Sequence, residues 1–417
     1  MYYFQQIMRN QWKSPQQLKK LQEKKLRHLL HHAYRNTPFY HRKFREAEVH
    51  PDDFQSLGDL EKFPITTKEE LRQNYPHNAL AKGYSLSNGV EMHTSGSTGR
   101  VFTFFCSHAA LDYHMVISYR NFVALGYRPW EKIVYTRYTP LEIGGHWYDR
   151  FGLVRRLHVN VFEPVKAQVE FVRQHQPKAI TGYPSVLLEW AKIIEKEDIE
   201  IQPRFIRTEA ELLTTEAREY MEQVFGCHVY EEYGSSEMIQ YAFECKERGY
   251  HLSADNAVME FLEDGESVAP GEQGEIFATS LAKYGMPFIR YQLFDWGVPA
   301  EGSCSCGRGL PLMKLIVGRN DDFVTLPSGK KVGPRLMIPP FELIPRINEF
   351  RLIQEKKELI VIEIIKGEEY TQATEDTLKQ NLLDILGEPV ELRFNYVDEI
   401  PRGRHNRPRP LISKVRA

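Results

Sequence analysis

Residues 93–100 read His-Thr-Ser-Gly-Ser-Thr-Gly-Arg, and this stretch is the most informative part of the chain. Its glycines allow a tight turn that brings backbone N–H groups close to a ligand. Convergent N–H donors and hydroxyl groups suit a phosphate. The stretch is not a Walker A loop, because no Gly-Lys-Ser/Thr ending follows the first glycine at the required spacing. Runs of Ser, Gly and Thr are more often solvated loops, so the interpretation depends on motifs further along the chain.

The composition is that of an ordinary globular protein. The chain has 417 residues, 42% hydrophobic and 26% charged, which is enough for two or three domains with real cores. Its 54 basic and 56 acidic residues balance, and no nucleic-acid motif is recognised, which disfavours binding to nucleic acid or to a membrane. No apolar run has the length of a membrane span, and the first residues lack a signal-peptide pattern. Five cysteines form no disulfide framework, so we expect a cytoplasmic protein.

Strand and helix patterns alternate between residues 95 and 240. Residues 132–135 and 178–183 have the composition of strands, and residues 186–194 that of the helix after the second strand. This alternation predicts a parallel α/β sheet. Residues 250–317 instead have the pattern of a β-rich subdomain.

A polar stretch at 318–322 precedes a distinct tail. The tail is predicted to contain strands at 357–365 and 390–396, with a helix at about 371–386 between them. A module of roughly a hundred residues is a reasonable domain size.

The predicted fold class is therefore α/β with two domains. The large N-terminal domain, residues 1–318, contains parallel sheets and a β-rich subdomain at about 245–317. A small α+β C-terminal domain, residues 319–417, follows it.

A second motif with potential chemistry is Glu231-Glu232-Tyr233-Gly234-Ser235-Ser236-Glu237, which follows the strand-like residues 227–230. A carboxylate after a turn, such as Glu237, can hold Mg²⁺ through its hard oxygens, and Tyr233 is suited to stacking on a purine. The alternative is a capped helix start with Glu237 in its first turn. That alternative is favoured when the motif is taken alone.

The segment from Arg290 to Asp295 is interpreted as the end of a strand. Asp295 is suited to accept hydrogen bonds from ribose hydroxyls; otherwise it is a turn residue or the ion-pair partner of Arg290. Arg319, 24 positions further on, is suited to the same sugar or to a phosphate.

Taken in order, these segments resemble the adenylate-forming ligase superfamily, most closely phenylacetate–CoA ligases and their relatives from capsular-polysaccharide gene clusters. The resemblance covers nearly the whole chain. Each motif is weak by itself, whereas several in order at plausible spacing are a strong signal. The motifs are Thr94–Gly99, Tyr233–Glu237, Arg290-Tyr291 with Asp295, Gly318–Asp322, Asn36–Tyr40 and Pro64–Lys68.

The resemblance implies an ATP-dependent ligase that activates a carboxylic acid as an acyl-adenylate, releases pyrophosphate and passes the acyl group to CoA or to an amine. It also implies Mg²⁺ and a mobile C-terminal domain that rotates about a hinge at Asp321. The protein would contribute mainly positioning and charge stabilisation. The implied nucleotide-binding residues are Thr94, Ser95, Gly96, Ser97, Thr98, Gly99, Tyr233, Gly234, Ser235, Asp295 and Arg319, with Ser236 and Glu237 near the phosphate and Mg²⁺.

The tail departs from the family pattern at its expected catalytic lysine. In the register that fits best, Arg407 occupies the position of the family's lysine that contacts the carboxylate and the α-phosphate. Arginine keeps the charge but is larger, planar and forked. Three interpretations follow: Arg407 contacts the carboxylate and the α-phosphate, Arg404 or Lys414 contacts them instead, or the adenylation half-reaction is weak. A basic surface without a catalytic role is the structural alternative.

Cysteines 245, 304 and 306 and His251 form a Cys₃His set. Such a set is a normal closed shell for structural zinc, and some members of the phenylacetate–CoA ligase group look similar here. The spacings are not those of a standard finger. The alternative is three reduced, partly buried cysteines and an ordinary histidine.

The family resemblance also implies where the pocket for the acid lies. Candidate lining residues are Tyr135, Tyr138, His146, Trp147, Tyr183 and Pro184, although such residues are more often simply core. Ala210 and Glu211 occupy the position of the segment that flanks adenine and the acid.

The leading hypothesis is thus a carboxylate-activating ligase that uses ATP and Mg²⁺ and contains structural Zn²⁺. Its acyl acceptor is CoA or an amine. The second is a nucleotide-binding homologue with weak or lost ligase activity, which Arg407 motivates. The third, a nucleic-acid binder that uses the basic tail, is disfavoured by the balanced charge. A homodimer is a common outcome for soluble enzymes and stays open here.

Overall fold

The structure is a computed structural model that describes residues 2–94, 102–138, 150–211, 213–317, 323–342, 347–401 and 410–415. The described residues fall into two compact units. The first lies within residues 1–93, 102–126 and 232–318, and the second within 94–101, 127–231 and 319–417. None of the described helices is long and apolar enough to cross a membrane.

Helices are spread along the described chain, with 3-10 turns at Pro51–Asp53 and Leu57–Lys62. The α-helices are α1 (Tyr2–Asn10), α2 (Pro15–Asn36), α3 (Pro38–Glu46), α4 (Lys68–Asn74), α5 (His108–Ala124), α6 (Val165–His175), α7 (Pro184–Glu197), α8 (Thr215–Phe225), α9 (Pro334–Met337), α10 (Pro339–Glu342) and α11 (Gln372–Leu386).

The described residues also form twenty strands. They are β1 (Gly89–His93), β2 (Thr103–Ser107), β3 (Lys132–Arg137), β4 (Arg155–Asn160), β5 (Ala179–Gly182), β6 (Phe205–Glu209), β7 (His228–Ser235), β8 (Ile239–Glu244), β9 (Tyr250–Leu252), β10 (Ala257–Glu263), β11 (Glu266–Ser267), β12 (Gly274–Ser280), β13 (Tyr291–Ala300), β14 (Leu312–Val317), β15 (Val324–Thr325), β16 (Lys331–Val332), β17 (Ile347–Lys356), β18 (Leu359–Lys366), β19 (Glu391–Tyr396) and β20 (Leu411–Ser413).

The first unit is built on an antiparallel sheet. Its strands lie in the order β11-β10-β12-β13-β14-β9-β8, and the end of β7 pairs with β8. Helices α2 and α3 contribute buried residues to the same apolar core as β8, β10, β12 and β13. Thr67 begins α4 with a capping box: its side chain accepts from the Glu70 N–H while Glu70 accepts from the Thr67 N–H.

The second unit contains the predicted parallel sheet, with strands in the order β4-β3-β5-β6. Val134, Ile180 and Ile206 occupy one face of that sheet and share a core with α6, α7 and α8. A separate four-stranded sheet, ordered β19-β18-β17-β20, packs with Leu378, Leu382 and other residues of α11. Leucines four residues apart lie on one face of a helix, which explains how α11 covers this sheet.

The α/β prediction is confirmed, together with the β-rich stretch and the strand–helix–strand tail. Two expectations were wrong. Residues 236–238 form a turn between β7 and β8 rather than a helix start, and Asp295 lies inside β13, which begins at Tyr291 and continues to Ala300. Strand β17 was not predicted from the sequence.

Candidate functional site

The β7–β8 hairpin holds Glu237 in a buried position on its turn. Gly234 permits the hairpin to close, because a Cβ there would lie 1.7 Å from the Ile239 carbonyl oxygen. Ser235 Oγ accepts from the Met238 N–H at 3.3 Å and stabilises the turn. This turn is not a helix N-terminus, because the backbones of Gly234 and Ser235 pair with those of Gln240 and Ile239 across the hairpin.

Two side chains from distant parts of the chain contact Glu237. Tyr291 donates a hydrogen bond to Glu237 Oε1 at 2.9 Å, and Lys68 Nζ lies 3.4 Å from the same oxygen. Thr66 places Lys68 there, since its N–H donates to the Arg290 carbonyl oxygen at 3.0 Å. A carboxylate beside an ammonium group forms a site for a hard cation with phosphate oxygens.

The side chains of Tyr233 on β7 and Asp295 on β13 meet within the first unit. The Tyr233 hydroxyl donates to Asp295 Oδ2 at 2.7 Å, and both residues are buried. Asp295 does not pair with Arg290, whose guanidinium binds Glu260 at 3.0 Å instead. The structure therefore brings two of the predicted nucleotide-binding residues into direct contact.

The segment after β6 carries the residues predicted to flank adenine and the acid. Ala210 has a φ of +71°, a left-handed conformation that is uncommon outside glycine. Glu211 accepts hydrogen bonds from the Ser185 N–H at 2.9 Å and from its hydroxyl at 3.1 Å. Glu211 thus stabilises the start of α7, where the helix dipole favours a negative charge.

Tyr135 and Tyr183, two of the described residues assigned to the acid pocket, have different surroundings. Tyr183 precedes α7 and packs in the apolar core of the second unit. Tyr135 lies on β3 among charged side chains, and burial raises the pKa of its hydroxyl. Of the two, Tyr135 has the more polar environment.

Several predicted site residues lie outside the described residues. Thr94, which is described, is buried at the start of the predicted phosphate loop. The predicted site residues outside the described ranges are Ser95, Gly96, Ser97, Thr98, Gly99, His146, Trp147, Arg319, Asp321, Arg404 and Arg407.

The structure gathers the Cys₃His set predicted to bind zinc. The ligand atoms of Cys245, His251, Cys304 and Cys306 all lie within 4.8 Å of one another. Cys245 Sγ is 3.6 Å from Cys304 Sγ, and Cys306 Sγ is 3.3 Å from His251 Nε2. A tetrahedral zinc ion with Zn–S bonds of about 2.3 Å holds its ligand atoms about 3.8 Å apart. The donor set and its spacing therefore fit zinc.

The surroundings of this cluster also fit a metal. His251 Nδ1 lies 3.4 Å from the Leu310 carbonyl oxygen, a contact that directs Nε2 toward the sulfurs. A Cβ on Gly249 would lie 2.5 Å from Cys304 Sγ, so the backbone approaches the cluster closely. Burial lowers the pKa of His251 to about 4, which keeps the imidazole neutral as a ligand must be.

Lys68 and Tyr291 were not assigned roles from the sequence. Both lie in segments that carry the family resemblance, Pro64–Lys68 and Arg290-Tyr291. Nothing in the sequence indicated that Lys68, the first residue of α4, has a distant carboxylate partner. That partner depends on the Thr66–Tyr291 bridge.

Two family models match this chain. A family model described as AMP-binding enzyme matches residues 41–281, and one described as CapK C-terminal domain matches residues 324–414. Phenylacetate-coenzyme A ligase of Escherichia coli (strain K12) is 33% identical over 336 residues, which are 77% of this chain and 75% of that protein. Protein CapK of Staphylococcus aureus is 23% identical over 437 residues, covering 100% of this chain and 93% of its own length.

A solved structure shares the fold. The 2-hydroxyisobutyryl-CoA ligase in complex with 2-HIB-AMP and CoA has a TM-score of 0.68 at 20% identity, covering 97% of this chain and 92% of that chain. The family match over residues 41–281 and the 33% identity to the E. coli ligase show common family membership, whereas the solved structure shows the fold alone. The chain therefore belongs to the adenylate-forming, AMP-binding enzyme superfamily, in its phenylacetate–CoA ligase family with the CapK relatives.

Proposed function

We propose that this protein is an AMP-forming acid–thiol ligase. In the first half-reaction a carboxylate oxygen of the acid attacks the α-phosphorus of ATP, the bond to pyrophosphate breaks, and an acyl-adenylate forms. In the second, the thiolate of CoA attacks the acyl carbon, and AMP leaves with the oxygen that the acid contributed. CoA is the acceptor that the 2-hydroxyisobutyryl-CoA ligase and the E. coli relative support.

The observation that carries the proposal is the buried Glu237 carboxylate beside Lys68, within the segment that the AMP-binding enzyme model matches. Glu237 would hold Mg²⁺ through a carboxylate oxygen. When bound, Mg²⁺ would neutralise phosphate charge. Lys68 would place a positive charge beside the departing pyrophosphate.

The remaining site residues keep their predicted roles as part of this proposal. Tyr233 would stack on adenine, and Asp295 and Arg319 would bind the ribose. Arg407 would contact the carboxylate and the α-phosphate. Ser236 and the segment Thr94–Gly99 would contact the phosphates, and Asp321 would be the hinge.

The proposal includes a domain boundary after residue 318. The CapK C-terminal domain model, which matches residues 324–414, supports a separate C-terminal module. The independent apolar core around α11 supports it as well.

The direct test of the function is carboxylate-dependent exchange of pyrophosphate into ATP. Aryl, aliphatic, hydroxy and amino acids would be screened with Mg²⁺ present. We expect exchange with one class of acid, and loss of that exchange in Glu237→Gln. Protein that binds ATP but exchanges with no acid would instead support a nucleotide-binding homologue without ligase activity.

We further propose that Cys245, His251, Cys304 and Cys306 bind one structural zinc ion. A closed shell of four protein ligands would cross-link the β8–β9 segment to the residues before β14 rather than act in catalysis. The geometry of the ligand atoms, which fits tetrahedral coordination, supports this role.

Metal analysis of the purified protein tests the zinc proposal, with about one zinc per chain expected. Chelation and Cys304→Ser should both lower the thermal midpoint, because metal binding contributes folding free energy. Cys227→Ser is the matched control, since Cys227 is a free thiol outside the cluster. Protein without near-stoichiometric zinc would contradict the proposal.

A further inference from the structure

One face of the parallel sheet in the second unit carries several polar and charged side chains toward the carboxyl ends of its strands. Side chains alternate between the two faces of a strand. Val134, Ile180 and Ile206 therefore point to the face that packs with α6, α7 and α8. Their neighbours in sequence point to the opposite face, where Tyr135 and Arg207 are both cross-strand partners of Thr181.

Guanidinium groups dominate the charge on this polar face. Arg207 donates to Thr181 Oγ1 at 3.2 Å, and its Nη2 lies 3.6 Å from Glu209 Oε2. Arg137 forms an ion pair with the other oxygen of Glu209. Two guanidiniums thus share one carboxylate.

Arg156, on β4, adds a third guanidinium to the same face. It lies across from Ile133, two residues before Tyr135 on β3. Its Nε and Nη2 are shielded from solvent and have no hydrogen-bond acceptor among the residues that the structure describes. Electrostatic effects of Arg207, Arg137 and Arg156 all act on the Tyr135 hydroxyl, although burial, which raises the pKa, is the larger influence.

Arg137 and Glu209 lie at the carboxyl edge of this sheet, whereas Arg156, across from Ile133 near the start of β3, lies deeper along the same face. Strand β3 ends at Arg137 and β6 ends at Glu209, both at the carboxyl ends of parallel strands. In open α/β sheets, ligands bind in the crevice outside these carboxyl ends. The next residue, Ala210, belongs to the segment predicted to flank the acid.

Arg156 is half-buried, and guanidinium nitrogens that are shielded from water without an acceptor, as its Nε and Nη2 are, are costly unless an anion pairs with them. The reacting carboxylate of the acid is a poor permanent partner, because adenylation converts it into an uncharged acyl group. A charge that remains on the acid through both half-reactions would be a lasting partner for Arg156.

We propose that the acid activated by this protein carries a second anionic group, and that Arg156 binds this group together with Arg207 and Arg137. The inference rests on the proposed ligase function and narrows its substrate to an acid with an additional carboxylate, phosphate or phosphonate. An acid with only an apolar tail would leave the Arg156 donors without an acceptor.

The test compares pyrophosphate exchange within pairs of acids matched for length. The pairs are adipate with hexanoate, 4-carboxyphenylacetate with phenylacetate, and 3-phosphonopropanoate with butanoate. We expect the dianionic member to have a kcat/KM about 10- to 100-fold higher in at least one pair, as one charge-assisted hydrogen bond allows. The third pair distinguishes a phosphonate from a carboxylate as the second group.

Arg156→Met should abolish this preference, mainly by raising the KM for the dianionic acid, and Arg156→Lys should restore part of it. The matched control is Arg155→Met, since Arg155 is the exposed neighbour on the same strand. If Arg156→Met does not fold, the wild-type comparison and Arg156→Lys still test the inference.

Equal or better exchange with the apolar monocarboxylates would overturn the inference while supporting the ligase function. An unchanged preference in Arg156→Met would overturn it as well. Absence of exchange with every acid, in protein that binds ATP, would overturn the ligase function and this inference with it.

Discussion

Asp295 is a buried carboxylate that accepts a hydrogen bond from the Tyr233 hydroxyl. An ionised carboxylate accepts several hydrogen bonds, so it can bind a sugar hydroxyl while it holds Tyr233. The tyrosine hydroxyl in turn fixes the orientation of the carboxylate. Binding of the ribose by Asp295 would therefore use a side chain that is already positioned.

We predict that Asp295→Ala raises the KM for ATP by about 10- to 100-fold, because a hydrogen bond to a charged group contributes roughly 1.5–3 kcal/mol. Exchange kinetics with ATP and with its 2′- and 3′-deoxy analogues would measure the effect. Wild type should prefer ATP, and the variant should lose that preference.

Tyr233→Phe provides the matched comparison, since it removes the hydroxyl and keeps the ring proposed to stack on adenine. Its effect on the KM for ATP should be smaller than that of Asp295→Ala. An Asp295→Ala protein that still discriminates against both deoxy analogues would exclude ribose recognition by Asp295.

The β7–β8 hairpin links backbone geometry to the proposed Mg²⁺ site. Gly234→Ala would push a methyl group against the Ile239 carbonyl oxygen, which lies in the paired strand. We predict a loss of about 1–3 kcal/mol in the free energy of unfolding, as for other overpacked sites. Glu237 should also move, so a higher Mg²⁺ concentration should be needed for half-maximal exchange.

Urea denaturation and Mg²⁺ titration of the exchange rate would measure these two effects. Gly58→Ala is the control, because the only close atom, Ser56 Oγ, would lie at an ordinary 3.8 Å. A Gly234→Ala protein with wild-type stability and Mg²⁺ dependence would contradict the role given to the hairpin.

The sequence predicted elements whose signals are local. Helix α11, predicted at about 371–386, is an example, since helical periodicity involves neighbours in the chain. Turn 236–238 was misread because Ser-Ser-Glu suits both a helix start and a hairpin turn. Asp295 was misplaced because β13 continues beyond it to Ala300 through pairing with β12 and β14, and such cross-strand pairing is not visible in the local sequence pattern.

A fully buried ion pair between Arg120 and Asp255 connects distant segments of the first unit. Arg120 on α5 donates to Asp255 at 2.7 Å, and neither side chain is exposed. Asn10 on α1 donates to the other Asp255 oxygen, and Lys25 on α2 donates to the Asp255 carbonyl oxygen. One aspartate thus connects three helices.

Asp255→Ala should destabilise the first unit by about 3–5 kcal/mol, because it leaves the Arg120 guanidinium buried without its partner. Urea denaturation would measure the loss. Asp112→Ala, an exposed acid on α5, should change stability by no more than about 0.5 kcal/mol. Similar stability of the two variants would contradict the structural role of the buried pair.

The family, the order of the motifs and the α/β class were predictable, because glycine-rich loops and strand–helix alternation leave marks in a single sequence. The Arg120–Asp255 pair and the arginines of the parallel sheet were not. Arg137, Arg156 and Arg207 lie on three strands, and only the register of the sheet brings them to one face. The Cys₃His set was predicted as a set, but its compact geometry depends on the fold.

An oxygen-labelling experiment tests directly whether the protein adenylates the acid. The preferred acid would be labelled with ¹⁸O in its reacting carboxylate and incubated with ATP, Mg²⁺ and CoA. An acyl-adenylate pathway transfers one labelled oxygen to AMP, because thiol attack leaves the acid's bridging oxygen on the phosphorus. We predict ¹⁸O in AMP and acyl-CoA as products. Label in inorganic phosphate, or AMP without label, would contradict adenylation of the acid.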